Sequence, residues 1–218
     1  MRYFVTGTDT GVGKTHVTAA LVTELRRRGR AARAIKPLET GWLPDGTDAD
    51  RLALASEVSR DQTVWQTFAV PRSPKAAARA EHRLIDCVEL ARWCTAQRGD
   101  PLFVEGAGGW LVPIAARTTM RDLAATVADA ALLVGRATLG TINHTLLTVE
   151  SIAPRMPLTG VVLSRHPDEP IAFARENADE IAELGGVRVA IYPDDQEQIV
   201  AWFDAAFGDD QPTQRMAR

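Results

Sequence analysis

The stretch GTDTGVGKT at residues 7–15 holds the residue types and spacing best suited to chemistry in this 218-residue chain. Closely spaced glycines leave backbone N–H groups free to turn inward, and a helix start adds its own unpaired donors. Such a nest binds polyphosphate. Gly11 and Gly13 let the loop approach without a Cβ in the way, with Val12 between them. Lys14 would then reach the outer phosphate oxygens, and the Thr15 hydroxyl would ligate Mg²⁺. The pattern departs from the usual spacing at one place. The position five residues before Gly13 is Thr8, and the glycine stands one place earlier, at Gly7. His16 follows and reads as packing on the first helical turn rather than as a base. These residues predict binding of ATP or another nucleoside triphosphate.

Triphosphate chemistry needs Mg²⁺, which prefers one or two carboxylates together with phosphate oxygens and water. Glu105 closes the apolar run Leu102–Glu105 and is followed by GAGG. Ligands of parallel sheets bind beyond the carboxyl ends of the strands, where this acid would sit. Asp45, Asp48 and Asp50 cluster in a loop with Gly and Pro, and spacing alone selects none of them. Lys36 ends a short apolar run just before Pro37. It is either a second cation at the phosphates or an ordinary exposed lysine. Thr40 and Gly41 follow in a loop that could face a substrate.

Those side chains need elements to hold them. Strands are expected at Tyr3–Thr6, Ala31–Lys36, Leu102–Glu105, Ala131–Gly135, Leu158–Leu163 and Val187–Tyr192. Helices are expected from Val17 to Leu25, then at Leu52–Val58, Lys75–His82, Ile85–Gln97, Arg121–Ala128, Asn143–Ile152, Ile171–Leu184 and Ile199–Phe207. Strand and helix alternate, and the strands are apolar on both faces, which predicts an α/β fold. Its mostly parallel sheet would be flanked by helices on both faces. Residues 1–207 are expected to form one domain of the nucleotide-binding type, with a polar tail over 208–218. Hydrophobic residues make up 45% and charged ones 24%, which excludes a disordered or fibrous chain. Net charge is −3, against nucleic acid as a partner. The cations Arg26, Arg27, Arg28 and Arg30 read as a solvated helix end. Cys87 and Cys94 lack the further ligands of a zinc cage and read as reduced thiols. The opening MRYFVTG reads as a buried strand rather than a signal peptide, and no apolar run is long enough to span a bilayer. A cytoplasmic protein with no membrane partner is expected.

Taken together, four segments resemble the dethiobiotin synthetase family. GTDTGVGKT is similar to its GTDTxVGKT, displaced glycine included, and IKPLETG at 35–41 to its KP-x-x-[ST]-G. VEGAGGW at 104–110 is similar to its VEGAGG, and LGTINH at 139–144 to its LG-x-[IL]-NH. The resemblance implies a homodimer with a seven-stranded sheet in each subunit. It also implies an ATP-dependent ring closure of 7,8-diaminopelargonate with CO₂, through a carbamate and its phosphorylated form. Lys14 and Lys36 would supply the catalytic charge, and Thr15, Asp50 and Glu105 would hold Mg²⁺. Asp50 is selected because ADRLAL at 49–54 matches the family's acidic residue before a helix. Nucleotide contacts would come from Gly11 to His16, Asp50, Glu105, Gly106, Ala107 and Gly108. Around the base the resemblance adds Ser164, Arg165, Pro193, Asp194 and Asp195. Thr40 would contact the substrate, with Gly140, Thr141, Ile142 and Asn143 holding its carboxylate across the dimer interface. Ser164 stands where many members have a base-reading Asn, and Lys75 where the family often has His. The competing readings are a positioning or partition ATPase and a nucleotide-binding module without this activity. Partition relatives carry an extra lysine early in the loop, and Gly7 to Gly13 contains none.

Overall fold

A computed structural model describes residues 1–41 and 46–204. Asp45, the 208–218 tail and the last residues of the expected closing helix lie outside the described residues. The first strand, β1 (Arg2–Gly7), runs through the loop into α1 (Lys14–Arg27), and β2 (Arg33–Ile35) follows. Then come β3 (Leu38–Thr40), α2 (Asp48–Ser56), β4 (Gln66–Phe68), α3 (Pro74–Ala80) and α4 (Cys87–Ala96). The second half alternates β5 (Leu102–Gly109), α5 (Met120–Val127), β6 (Ala130–Arg136), α6 (Thr141–Ile152) and β7 (Leu158–Ser164). It closes with α7 (Ile171–Gly185), β8 (Val189–Tyr192) and α8 (Gln196–Ala201).

Six strands pair in the order β2-β5-β1-β6-β7-β8, every pair parallel. Parallel strands bury both faces, and alternate residues of β1 feed two cores. Phe4 joins Ile35, Val104, Leu133, Leu90, Leu123 and Ile181 under α3 to α7. Tyr3 and Val5 join Phe103, Leu132, Leu21, Leu52 and Ile199 under α1, α2 and α8. No helix among the described residues is long and apolar enough to cross a membrane.

The expected seven-stranded sheet is corrected to six strands plus a separate parallel pair, β3 with β4. Pro37 explains the break, because it has no N–H to continue a ladder. The chain turns away there: Lys36 donates its backbone N–H to Thr63 (2.8 Å), and Pro37 accepts from Gln66 (3.1 Å). Three-residue strands are too short to show a period. The closing helix begins earlier than expected, at Gln196, and turns Ile199 and Val200 inward.

The arginine run also differs from a freely solvated helix end. Glu24, one helical turn before, accepts from Arg27 and Arg28. Arg26 pairs with Glu57, and Arg30 with Asp100. Hydrogen bonds from Arg27 and Arg28 hold Glu24 down at about 2, against its ordinary 4.5. A depressed folded-state value means stabilisation that is complete above pH 4.5 and lost as pH falls towards 2. Glu24→Gln should therefore lower Tm at neutral pH by about 2–4 °C, the equivalent of about 1 kcal/mol for partly exposed pairs. The loss should vanish at the acid end. Thermal unfolding followed across pH checks it, and an equal loss at every pH would contradict it.

Candidate active site

The site is assembled at the carboxyl ends of three adjacent strands. Val5 of β1 lies beside Glu105 of β5, and Ile35 of β2 lies beside Val104. That register sets Lys36, Glu105 and the glycine-rich loop side by side. A cavity of about 270 Å³ opens over them, lined in part by Gly11, Gly13, Lys14, Thr15, Lys36 and Thr40. The displaced glycine has a physical reason. A Cβ on Gly7 would stand 2.8 Å from the Asp9 carbonyl oxygen and 3.0 Å from Lys14 Nζ. Lys14 folds back over that spot and donates to the Asp9 carbonyl (3.1 Å). Gly13 caps α1 with φ of 92°, a left-handed conformation that favours glycine.

Glu105 is fully buried. Its Oε1 accepts from Thr15 Oγ1 (2.6 Å) and from Lys36 Nζ (2.8 Å). Lys36 also donates to Asp48 Oδ2 (2.6 Å), so it is a buried cation shared by two carboxylates. The exposed alternative for Lys36 is removed. Burial works against its charge, yet Glu105 and Asp48 hold its pKa above the usual lysine value. Asp48 is likewise resisted by burial but held below the carboxylate range by Lys36, with help from Thr15 and Lys14. Lys14 is brought down to about 8, by burial first and by Lys36 beside it, against the pull of Glu105.

Asp50 is a correction. Its carboxylate accepts from the backbone N–H (2.8 Å) and hydroxyl (2.9 Å) of Thr47 and pairs with Arg60 (3.1 Å). Thr47 is the N-cap of α2 and Asp50 the reciprocal partner of a capping box. The structure instead brings Asp48 to Lys36 and the phosphate cavity. A signal for this was present in TDAD at 47–50: Thr with an acid three residues on is a capping-box spacing, which leaves Asp48 free. Glu39 and Arg60 had no such signal. Glu39 is buried, accepts from the Ala49 N–H (2.9 Å) that starts α2, and pairs with Arg60 (2.9 Å). Arg51, on the cavity rim, was also missed.

Thr15, Glu105 and Asp48 offer the oxygen donors that a hard cation prefers. The fit rests on Glu105 Oε2, a buried oxygen with no hydrogen-bond partner among the described residues. An unpaired buried carboxylate oxygen is costly, and a divalent cation would satisfy it. The residues present fit Mg²⁺.

Other expected residues divide. Ala107 and Gly108 line the cavity. Gly106 packs against Phe4 instead, and the Val12 side chain enters the core, leaving only its backbone to the loop. His16 sits on the rim, edge-on to Tyr192 at 5.3 Å. Ser164 lies against the loop, where a Cβ on Gly13 would meet its Cβ at 2.9 Å. Arg165 forks onto Asp194 (2.8 and 3.0 Å) and donates to the Glu169 carbonyl (2.7 Å). Asp195 is held by Arg175 and by the Ile191 N–H. These charged side chains are therefore committed within the protein; Pro193 lies between Tyr192 and Asp194. Gly140 caps α6, and Thr141 is buried against Thr145 (3.4 Å), while Asn143 is exposed and Ile142 packs on the core. Gly140 to Asn143 are not among the residues lining the phosphate cavity. Lys75 is exposed at the start of α3 and donates to the Ala116 carbonyl (3.3 Å).

A glycine-rich loop between a central parallel strand and a helix, with a lysine and a threonine at the helix start, defines a P-loop NTPase. A family model described as an AAA domain matches residues 1–193. Solved structures agree on the fold. The cell division ATPase MinD of Pyrococcus furiosus superposes with a TM-score of 0.52 at 22% identity, covering 89% of this chain and 84% of that one. A ParA family ATPase from Chlorobium tepidum gives 0.52 at 15% identity, covering 93% and 87%. Curated relatives are more specific. The ATP-dependent dethiobiotin synthetase BioD of Anaeromyxobacter dehalogenans is 48% identical over 188 residues, 83% of this chain and 84% of that protein. The proteins of that name from Mycobacteroides abscessus and Aquifex aeolicus are 41% and 38% identical, covering 87% and 86% of this chain and 85% and 86% of theirs. The chain belongs to the ATP-dependent dethiobiotin synthetase family.

Proposed function

We propose that this chain is an enzyme that closes the ureido ring of dethiobiotin from 7,8-diaminopelargonate and CO₂ at the expense of a nucleoside triphosphate. The observation that carries the reading is the pair Lys14 and Lys36 beside a buried Glu105. One substrate amine adds CO₂ to give a carbamate. A carbamate oxygen attacks the γ-phosphorus and the nucleoside diphosphate leaves. The second amine then attacks the carbonyl carbon, and inorganic phosphate departs with closure of the ring. Two anions must approach each other in the second step, and charge grows on the oxygens between them. Lys14, held by the loop, would face the transferring phosphoryl group. Lys36 would stand on the far side, towards Thr40 and the carbamate. Mg²⁺, held by Thr15, Glu105 and Asp48, would neutralise phosphate charge.

A homodimer with the substrate at its interface belongs to this reading. Its support is the exposed apolar surface around α6, where Leu139, Leu147 and Leu111 are 89%, 58% and 54% exposed. Gly140 to Asn143 open α6 beside that surface and do not line the phosphate cavity. The two free thiols, Cys87 and Cys94, suit a cytoplasmic location. The deciding experiment measures phosphate release with diaminopelargonate and bicarbonate each omitted in turn. Release that depends on both is expected; release that ignores either would overturn the reading.

Base selectivity should be weak. Adenine is read best by an amide that pairs donor and acceptor at once, and the Ser164 hydroxyl is too short for that. A lost paired contact is worth about 1–3 kcal/mol of discrimination. At least one of CTP, GTP and UTP should support turnover within about tenfold of ATP in kcat/KM. Steady-state rates with all four nucleotides check this, and strict ATP dependence would contradict it.

A further inference from the structure

The charges at the phosphate cavity nearly cancel. Lys14 and Lys36 are offset by Glu105 and Asp48, which they neighbour. A nucleoside triphosphate remains an anion even with its magnesium, so a further cation would favour its capture. Arg51 stands at the right place. It is exposed, and it lines both the 270 Å³ phosphate cavity and a second groove of about 770 Å³ that runs between α1 and α2. The two spaces share Thr15, His16 and Arg51, so this arginine marks their junction. Its backbone N–H donates to the Thr47 carbonyl (3.2 Å), but among the described residues its guanidinium has no hydrogen-bond or ion-pair partner. Its neighbours contrast with it, since Arg26 is tied to Glu57 and Arg60 to Glu39 and Asp50.

Position on the helix gives the reason it faces the rim. Arg51 lies three residues after Asp48, and residues so spaced share one face of a helix. Asp48 points to Lys36 at the floor of the cavity, so Arg51, a turn further along, comes to the opening above it. The capping box of Thr47 and Asp50, with Glu39 on the Ala49 N–H, holds that first turn in place. A guanidinium is a planar fork that matches phosphate oxygens two at a time and is weakly hydrated.

We propose that Arg51 closes over the phosphates of the bound nucleotide from the rim as a third cation, independently of the base. The proposal rests on the nucleotide-dependent reading above. It also fits a site in which the charged side chains near the base, Arg165, Asp194 and Asp195, are already paired within the protein.

The test is equilibrium binding of Mg-ATP and of Mg-CTP to the full chain, without the other substrates, for wild type, Arg51→Ala and Arg51→Lys. Thermal unfolding would verify that each variant folds, which an exposed position favours. Arg51→Ala should weaken both nucleotides by about tenfold or more and by the same factor, a loss of about 1.4 kcal/mol or more. Arg51→Lys should recover part of that loss, because charge remains and the fork does not. Added salt should weaken wild-type binding more than that of Arg51→Ala. Affinities of Arg51→Ala within about twofold of wild type for both nucleotides would overturn the proposal. A loss confined to one nucleotide would overturn it too, since that marks a base contact. Unchanged binding by Arg51→Ala, beside a wild type that binds and turns over nucleotide, removes only the role of Arg51; a wild-type chain that binds no nucleotide removes the functional reading as well.

Discussion

Replacing Lys36 with alanine is expected to lower kcat by about 10²–10³-fold while nucleotide affinity stays within about tenfold. Lys36 lies outside the phosphate loop and would act on charge that develops between carbamate and phosphoryl group. A contact of that kind is typically worth about 3–4 kcal/mol in the transition state. The structure adds a second consequence. Glu105 is fully buried, and Lys36 is the cation that directly contacts it. Removing one partner of a buried pair costs about 3–5 kcal/mol of stability. Lys36→Ala should therefore melt well below wild type, and Mg²⁺, which Glu105 and Asp48 would help to hold, should restore part of the loss. Rates are to be corrected for the folded fraction, followed by circular dichroism at the assay temperature. Corrected activity above about a tenth of wild type would remove Lys36 from the mechanism.

Asp48→Asn and Asp50→Asn should behave oppositely, although a single residue separates them. Asp48→Asn takes a negative oxygen from a hard-cation site with little change of shape. The Mg²⁺ concentration for half-maximal activity should rise by about tenfold or more. Asp50→Asn should leave that concentration nearly unchanged. Its cost is to the α2 cap, about 1 kcal/mol, read as a few degrees of Tm. Activity titrated against Mg²⁺ for both variants decides between them. A raised requirement in Asp50→Asn alone would return the metal site to the residue that the sequence comparison selected.

That contrast shows where local information stops. The loop GTDTGVGKT was legible because its chemistry is local. Glycine, lysine and threonine at fixed offsets between strand and helix need no distant partner to define a phosphate nest. The alternation of elements was legible for the same reason, since burial on both faces writes itself into every strand. Glu105 at a strand end was legible through the rule that parallel sheets bind ligands there. Lys36 was not settled, because its burial depends on β2 lying beside β5, 69 residues from Lys36 to Glu105 along the chain.

By itself, then, the sequence determined the nucleotide-binding loop, the class of fold and the family. Tertiary structure decided which acid faces the site: TDAD carries the capping-box spacing, but it is the rotation of the first turn of α2 in the packed protein that brings Asp48 to Lys36. Thr47, Glu39 and Arg60 set that rotation through contacts that span three to 21 residues. It decided as well that the sheet has six strands among the described residues, because Pro37 diverts the chain into a separate pair with β4. Hydrogen bonds between segments distant in sequence are chosen by the packed whole, and no local period records them.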